Sequence, residues 1–167
     1  EQISTTTKEA SGTGNMKLMM NGAITLATLD GANIEIFDQV GKDNIVIFGL
    51  SANEVLNYNK FGGYSALDLY NSNRNIKRVV DDLINGFIPN IEIEGRQIYD
   101  SLITYNDEYF VLRDIENYIE AQEKINKLYK NKDKWNQMTL INIANSGIFS
   151  SDRTIEEYAK DIWFKGC

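Results

Sequence analysis

The first third of the chain combines short apolar runs with one polar segment of helix length. Residues 23–29 (AITLATL) and 44–49 (NIVIFG) are brief apolar runs rich in β-branched side chains. Their apolarity is continuous rather than alternating, which is typical of strands buried on both faces of a parallel sheet. Residues 30–42 are long enough for a crossover helix, although the β-branched residues within 32–36 weaken that assignment. The pattern predicts a βαβ unit.

Beyond Ser51, apolar residues recur at helical spacing. Ser51 and Glu54 have the spacing of a capping box, and the glycines at 62–63 are expected to end the helix that they begin. Residues 76–84 place apolar side chains at steps of three and four, and a glycine and the single proline follow them. Residues 90–96 are expected to form a loop or a short hairpin.

Further helices are predicted toward the C-terminus, after a short one that begins near Tyr99. Asp114 and Asp133 precede two of these helices and are their expected N-caps. The last helix has the clearest pattern, because Thr154 and Glu157 have capping-box spacing and the apolar residues follow an i, i+3, i+4, i+7, i+8 stripe. We expect this stripe to face the core; its members are Ile155, Tyr158, Ala159, Ile162 and Trp163.

Composition excludes several function classes and identifies none. The 167 residues are 43% hydrophobic and 25% charged, as in a globular domain. The formal net charge of −7 argues against a nucleic-acid partner, which needs clustered Lys and Arg. No apolar run is long enough to span a membrane, so no membrane partner is expected. The absence of His and the single Cys167 argue against His-based dyads, His- or Cys-rich metal sites and intrachain disulfides. The scarcity of cysteine fits a reducing compartment such as the cytoplasm.

The segment that carries the most chemistry is residues 9–17, EASGTGNMK. Gly12 and Gly14 flank Thr13, so the backbone there can adopt positive φ and approach a ligand closely. A helix beginning here would offer free N–H groups and the positive end of its dipole to an anion, with Lys17 one turn along. The spacing matches neither the P-loop nor the dinucleotide fingerprint. A glycine-containing helix start with a solvated lysine is the plainer interpretation, and on spacing alone both stay open.

Several further blocks resemble one known family. Together with residues 9–17, the segments 1–5 (EQIST), 21–23 (NGA) and 29–36 (LDGANIEI) closely resemble the α-glucan phosphorylases, which act on glycogen, starch or maltodextrin. A second match lies within residues 142–159, where NIA, SG, FSSDRTI and EYA occur in the family's order. The resemblance spans this whole chain but only the C-terminal portion of a phosphorylase, which is several times longer.

The resemblance implies a fold. The chain would be the C-terminal part of a Rossmann-like GT-B glycosyltransferase domain of the α/β class, with few parallel strands and a mainly helical tail. Residues 1–167 would form a single partial domain, with a βαβ-like cofactor-site region in 1–50 and a mainly helical region in 51–167. The remaining strands, the family's basic residues for the substrate phosphate and its glucan-binding half would lie upstream of Glu1.

The resemblance also implies a cofactor, pyridoxal 5'-phosphate. Lys17 would hold it as a Schiff base, and Gly12, Thr13 and Gly14 would donate backbone N–H groups to its phosphate, so that Lys17 and Thr13 are the candidate catalytic residues. In this family the cofactor's phosphate exchanges a proton with the inorganic phosphate that cleaves the α-1,4-glucan, releasing glucose 1-phosphate with retention of configuration. The residues that would contact the glucosyl unit are Glu9, Ser11 and Gly12.

The chain departs from the family pattern between Thr5 and Glu9. The family usually has Ala-Gly-Thr there, whereas residues 6–8 are Thr-Thr-Lys. Loss of a glycine is expected to alter the turn before Glu9, and Lys8 adds charge near the expected phosphates.

The parent enzyme is expected to be a homodimer, and the isolated chain to be inactive in phosphorolysis. The alternative is a non-catalytic association domain or an orphan fragment, which a sheet edge exposed by missing strands would favour.

Two smaller features are each open to two interpretations. Residues 30–33 (DGAN) could form a substrate loop, but Asp-Gly is also common in turns at strand ends. Trp135 and Trp163 could stack on sugars, but their helical spacing favours a place in the core.

Overall fold

The computed structural model describes residues 1–9 and 12–164, in which helices surround a small sheet. Strands β1 (Leu26–Thr28) and β2 (Val46–Phe48) pair in parallel, with Leu26 opposite Val46. Helix α1 (Thr13–Met20) precedes β1, and α2 (Ala32–Val40) connects the two strands. Gln2 forms a parallel bridge with Ala27. The predicted βαβ unit is confirmed.

The remaining helices follow β2 and occupy most of the chain. The capping box at Ser51 is confirmed, since Ser51 N donates to Glu54 Oε2 at 2.9 Å and Glu54 N donates back to Ser51 Oγ at 3.4 Å. The elements are α3 (Ala52–Phe61), α4 (Ala66–Ser72), α5 (Arg74–Asp81), α6 (Glu92–Tyr99) with a π-helical turn at Asp100–Thr104, α7 (Val111–Lys130), α8 (Lys132–Asn145) with a 3₁₀ turn at Ser146–Phe149, and α9 (Ser151–Tyr158) with a π-helical turn at Ala159–Trp163.

The sheet is covered on both faces, which explains why its strands are apolar without alternation. On one face, Ile47 packs against the cluster that contains Met19 of α1 and Ile36 of α2. On the other face, Val46 and Phe48 pack against α7, where Ala121 is buried. Successive residues of one short strand therefore contact helices on opposite sides, as in a layered α/β fold.

Helix α7 begins earlier than the sequence predicts. The side chain that accepts hydrogen bonds from its first turn is Asp107, from Val111 N at 3.0 Å and from Leu112 N at 2.7 Å. Asp114 lies inside the helix, where its Oδ1 accepts from Leu50 N at 3.0 Å. The prediction that Asp114 caps this helix is wrong, because its carboxylate instead joins α7 to the residues that follow β2.

Other local predictions for the helical part are also wrong. Asn131, not Asp133, accepts from the third amide of α8 at 3.1 Å. Thr154 and Glu157 form no capping box, since both lie within α9 and Glu157 pairs with Arg153. Residues 90–96 are not a hairpin, because α6 begins at Glu92.

The apolar stripe of α9 does not face the core. Ile162 is 62% exposed and Trp163 is 59% exposed, and Ile155 and Tyr158 are also solvent-exposed. The expectation that Trp163 lies in the core is therefore wrong. Within residues 1–9 and 12–164, no element covers this face.

Candidate functional site

Helix α1 begins at the glycines that the sequence singles out. Gly12 occupies the N-cap position with φ of −98°, and the first intrahelical bond joins Met16 N to Gly12 O at 3.4 Å. The amides of Gly14 and Asn15 lie ahead of that bond, at the positive end of the helix dipole. Thr13 and Gly14 are solvent-exposed. This end of α1 therefore presents backbone donors toward solvent.

The two glycines serve different purposes. A Cβ added to Gly12 would lie 2.4 Å from the Cβ of Ala32, so glycine is required by the close approach of α1 to α2 rather than by positive φ. A Cβ added to Gly14 would meet nothing within 4 Å. The backbone at Gly14 is thus open to a ligand, while the backbone at Gly12 is fixed against the fold.

Lys17 lies one turn beyond the glycines. Its side chain is exposed, and its carbonyl accepts from Asn21 Nδ2 at 2.8 Å at the end of the helix. Met19, two residues later, is fully buried and anchors the opposite side of α1. The helix therefore holds its amine toward solvent, on the same short helix as the open backbone at Gly14.

Glu9 is held by the turn between β1 and α2. Its amide donates to Asp30 Oδ2 at 2.9 Å, and its Oε2 accepts from Ala32 N at 3.1 Å. Its Oε1 accepts from Gln2 Nε2 at 3.3 Å. Gly31 has φ of 49°, and a Cβ there would lie 1.4 Å from Glu9 Oε2, so the position requires glycine. Residues 30–31 thus form the turn between β1 and α2, and that turn, together with the first amide of α2, holds Glu9.

A polar network that sequence reasoning missed links these segments. Asn33 is fully buried, and its Nδ2 donates to Gln2 Oε1 at 2.9 Å and to Thr28 O at 3.0 Å. Its Oδ1 accepts from Asn15 Nδ2 of α1 at 2.8 Å. The sequence signal for this network is Asn33 itself, a polar residue between Ala32 and Ile34. A polar side chain that is buried needs hydrogen-bond partners.

The departure at residues 6–8 is accommodated by a tight turn. Thr7 has φ of 78°, in the left-handed region. Thr6 is buried and its hydroxyl donates to Leu50 O at 2.7 Å. The amine of Lys8 lies 3.8 Å from Glu108 Oε1. The added positive charge therefore has an acidic neighbour, and the turn forms without glycine.

The arrangement at α1 can bind an anion and present an amine beside it. An exposed helix start with an open backbone at Gly14 suits a phosphate. The exposed primary amine of Lys17 suits a carbonyl compound, with which amines condense. Both features fit a cofactor that carries a phosphate and an aldehyde. Ser11, which the sequence assigns to the substrate, lies outside the described residues.

A separate apolar cleft of about 280 Å³ lies between the first residues of the chain and α7. Phe48, Tyr109 and Tyr118 line it, together with Asp114. Burial raises the pKa of Asp114 to about 6, although the hydrogen bond from Leu50 N opposes that shift. The residues of the α1 site do not line this cleft, so it is distinct from that site.

Residues 1–9 and 12–164 lack two other kinds of feature. No group of three or more His, Cys, Asp or Glu side chains there could hold a metal ion. None of the helices in this part of the chain has both the length and the apolarity needed to cross a membrane.

Comparison with known proteins places the chain in a family. A family model described as carbohydrate phosphorylase matches residues 1–165. The chain belongs to the carbohydrate phosphorylase family. The chain is 58% identical over 163 residues to glycogen phosphorylase of Bacillus subtilis (strain 168). It is 48% identical over 164 residues to that of Synechocystis sp. (strain ATCC 27184 / PCC 6803 / Kazusa) and 45% identical over 163 residues to the liver form of Homo sapiens.

These alignments cover 98% of this chain but only 20%, 19% and 19% of the three phosphorylases. The chain thus spans about a fifth of the length of the curated relatives it matches. The resemblance to phosphorylases inferred from the sequence is confirmed. In this phosphorylase segment, Gly12, Thr13, Gly14 and Lys17 share one helix start, and Glu9 is held by the adjoining β1–α2 turn.

Proposed function

We propose that the chain is the cofactor-bearing, C-terminal part of an α-1,4-glucan phosphorylase, with pyridoxal 5'-phosphate held at α1. The observation that carries this proposal is the exposed Lys17 one turn from the open, glycine-flanked start of α1, in a chain of the phosphorylase family. The parent enzyme would be a cytoplasmic homodimer with a Rossmann-like GT-B fold. It would convert α-1,4-glucan and inorganic phosphate into glucose 1-phosphate with retention.

The residues of α1 divide the work of holding the cofactor. The Nζ of Lys17 would bind its aldehyde, and the amides of Gly12, Thr13 and Gly14 would bind its phosphate. The helix dipole favours a negative charge at this end of α1 by about 0.3–1 kcal/mol at an exposed site. When bound, the cofactor supplies a phosphate group that exchanges a proton with the substrate phosphate.

Glu9 would orient the glucosyl unit. Each of its carboxylate oxygens already accepts one hydrogen bond, from Ala32 N and from Gln2 Nε2. A carboxylate offers about four acceptor positions, so two remain for sugar hydroxyl donors. Because its existing bonds fix the carboxylate before substrate arrives, little side-chain entropy is lost on binding. Ser11 and the backbone of Gly12 would complete these contacts.

A borohydride trap tests the cofactor assignment. The chain is mixed with pyridoxal phosphate and reduced, which fixes a lysine–cofactor linkage as a stable secondary amine, and the modified lysines are mapped by mass spectrometry. We expect saturable labelling dominated by Lys17. Lys17→Ala should abolish that labelling, whereas Lys42→Ala, at an exposed lysine beyond α2, should not change it. Scattered, non-saturable labelling would contradict the proposal.

The isolated chain is proposed to lack phosphorolytic activity, because it spans about a fifth of its relatives' length. An assay with glucan and inorganic phosphate, read as glucose 1-phosphate formed, tests this. Turnover that disappears in Lys17→Ala would refute the proposed inactivity and strengthen the assignment of Lys17.

A second candidate is a non-catalytic association domain. The exposed apolar stripe of α9, with Ile162 and Trp163, favours it, since large apolar patches often mark interaction surfaces. Size-exclusion chromatography over a range of concentrations distinguishes the candidates. A monomer at every concentration would count against self-association.

A further inference from the structure

We infer that Asn33 is a positioning residue: it orients the start of α1 so that the backbone there can bind the cofactor's phosphate. This role rests on the proposed function, because it concerns the helix that would hold pyridoxal phosphate. Asn33 lies in α2, contacts neither Lys17 nor the solvent, and acts through Asn15.

The hydrogen bonds of Asn33 determine the orientation of its side-chain amide. Its Nδ2 faces the carbonyl of Thr28 at 3.0 Å, and a backbone carbonyl can only accept. The Oδ1 must therefore point the other way, toward Asn15, which donates to it at 2.8 Å. Asn33 thus presents a fixed acceptor to α1, and only a donor at residue 15 can match it.

Close packing between α1 and α2 also fixes the start of α1. Ala32, which precedes Asn33, lies very close to the backbone of Gly12. A Cβ added to Gly12 would lie 2.4 Å from the Cβ of Ala32. Consecutive residues of α2 therefore meet both ends of the Gly12–Asn15 turn, one by packing and one by a hydrogen bond. Met19 fixes the far end of α1 in the core. These contacts together determine the direction in which the first amides of α1 point.

The Asn33 amide is also connected to Glu9 through Gln2. Asn33 Nδ2 donates to Gln2 Oε1 at 2.9 Å, and Gln2 Nε2 donates to Glu9 Oε1 at 3.3 Å. One buried side chain therefore connects the helix that carries Lys17 with the carboxylate proposed to orient the sugar. Such a network holds its members in a single arrangement when every donor in it has a partner.

The test compares Asn33→Ala and Asn15→Ala with Asn44→Ala as a matched control. Asn44 is also buried, but it follows the opposite end of α2, and its Nδ2 donates to Val40 O of α2 at 2.8 Å rather than to α1. Alanine keeps its carbonyl, which accepts from Asn142. Each variant is studied at a temperature where it is folded, first by hydrogen exchange of the amides of residues 16–20 without cofactor. Borohydride trapping at Lys17 then follows, with pyridoxal phosphate and with pyridoxal, which lacks the phosphate.

We expect Asn15→Ala to speed exchange in α1 about tenfold, the effect of one lost hydrogen bond. Asn33→Ala should speed it at least as much, because it also removes the bonds to Gln2 and Thr28. The preference of Lys17 for pyridoxal phosphate over pyridoxal should fall by a similar factor, because the phosphate loses its oriented donors. The double variant should be no worse than Asn33→Ala, since Asn15→Ala removes a contact that Asn33→Ala has already removed. Asn44→Ala should leave both quantities unchanged.

The inference is overturned if Asn33→Ala and Asn44→Ala behave alike, or if labelling by pyridoxal and by its phosphate falls equally, as it would for a purely structural role. Should Asn33→Ala not fold, Asn15→Ala tests the same contact from the half-buried side. If the parent chain shows no selective labelling of Lys17 but exchange in α1 still depends on Asn33, the positioning stands and the proposed cofactor is wrong.

Discussion

Thr7 is a β-branched residue in a conformation that suits glycine. Its φ of 78° lies at the third position of a turn closed by the bond from Lys8 N to Thr5 O at 2.9 Å. A left-handed conformation costs a residue with a Cβ roughly 1–2 kcal/mol, and glycine at this turn position avoids it. We therefore predict that Thr7→Gly stabilises the chain by up to about 1 kcal/mol, after the greater entropy of the unfolded glycine is deducted.

Urea unfolding of the Thr7 variants checks this prediction. Thr7→Ala is the matched control, because alanine removes the hydroxyl and the branch but keeps the Cβ in the left-handed region. It should gain less than Thr7→Gly. Equal stability of the alanine and glycine variants would show that positive φ is not the source of the cost.

Asp114 gives the chain a defined pH dependence. Burial raises its pKa to about 6, the hydrogen bond from Leu50 N and the charge of Arg113 oppose the shift, and the charges of Asp107 and Glu54 add to it. The folded chain therefore holds this proton more tightly than the unfolded chain. The stabilisation that this tighter proton binding gives is fully present below about pH 4, which is near the ordinary pKa of an aspartate. It is lost as the pH rises through about 6, the pKa of Asp114 in the folded chain.

We predict that Asp114→Asn removes this loss, because an asparagine keeps an oxygen for Leu50 N without a buried charge. At pH 7.5 the variant should be about 2–3 kcal/mol more stable than the parent, and near pH 4 the two should be similar. Urea unfolding at both pH values measures the difference. Asp38→Asn, at an exposed position of α2, should change stability little at either pH. A parent–variant difference independent of pH would contradict the assignment.

At the scale of elements, the helix starts differ in how deeply they are buried. The capping box of α3 is exposed, whereas Asp107 is 2% exposed and accepts from the first amides of α7 and from the Tyr64 hydroxyl at 2.7 Å. We predict that Ser51→Ala costs about 1 kcal/mol and that Asp107→Ala costs about 3 kcal/mol, because it strands buried donors. Asp107→Asn should fall between them in urea unfolding. Similar losses for Ser51→Ala and Asp107→Ala would refute this ranking.

The elements predicted well are those whose signals are local. The βαβ unit follows from two apolar runs at the right separation, and the box at Ser51 follows from spacing alone. The cap at Asp107 does not follow from spacing, because Asp107 lies three residues ahead of the N-cap position, Phe110, and its carboxylate is also held by the distant Tyr64. The stripe within residues 155–163 was expected to face the core but is exposed, because periodicity does not say what lies against it.

The candidate site likewise combines features with a local sequence signal and features that depend on distant segments. The glycines and Lys17 could be singled out because they lie within one short segment. The close approach of Gly12 to Ala32 and the bond from Asn15 to Asn33 could not, since each joins α1 to α2 across an intervening strand. Spacing identifies the candidate groups, whereas tertiary contacts decide how they are oriented.

At the scale of the whole molecule, the C-terminal helix α8 packs against the helices of the candidate site. Met138 of α8 is fully buried, and Asn142 Nδ2 donates to Asn44 O at 2.9 Å beyond the end of α2. Ile141 packs against the core that contains Met19 of α1. Because α8 touches both helices of the candidate site, a residue about 120 positions along the chain from Lys17 contributes to its placement.

Gly22 makes this dependence measurable. Gly22 and Gly41 both have positive φ, 80° and 73°, but a Cβ at Gly22 would lie 2.6 Å from Thr139 Cγ2 of α8, whereas one at Gly41 would meet nothing within 4 Å. We predict that Gly41→Ala costs about 1–2 kcal/mol, the price of the left-handed conformation alone. Gly22→Ala should cost more in urea unfolding, because it also forces α1 away from α8. Adding Thr139→Ser, which removes the colliding methyl group, should recover most of the excess; the added Cβ still lies 3.1 Å from Ile143 Cδ1. If the two alanine variants are equally unstable, α8 does not constrain the end of α1, and the C-terminal helices would stabilise the fold without positioning Lys17.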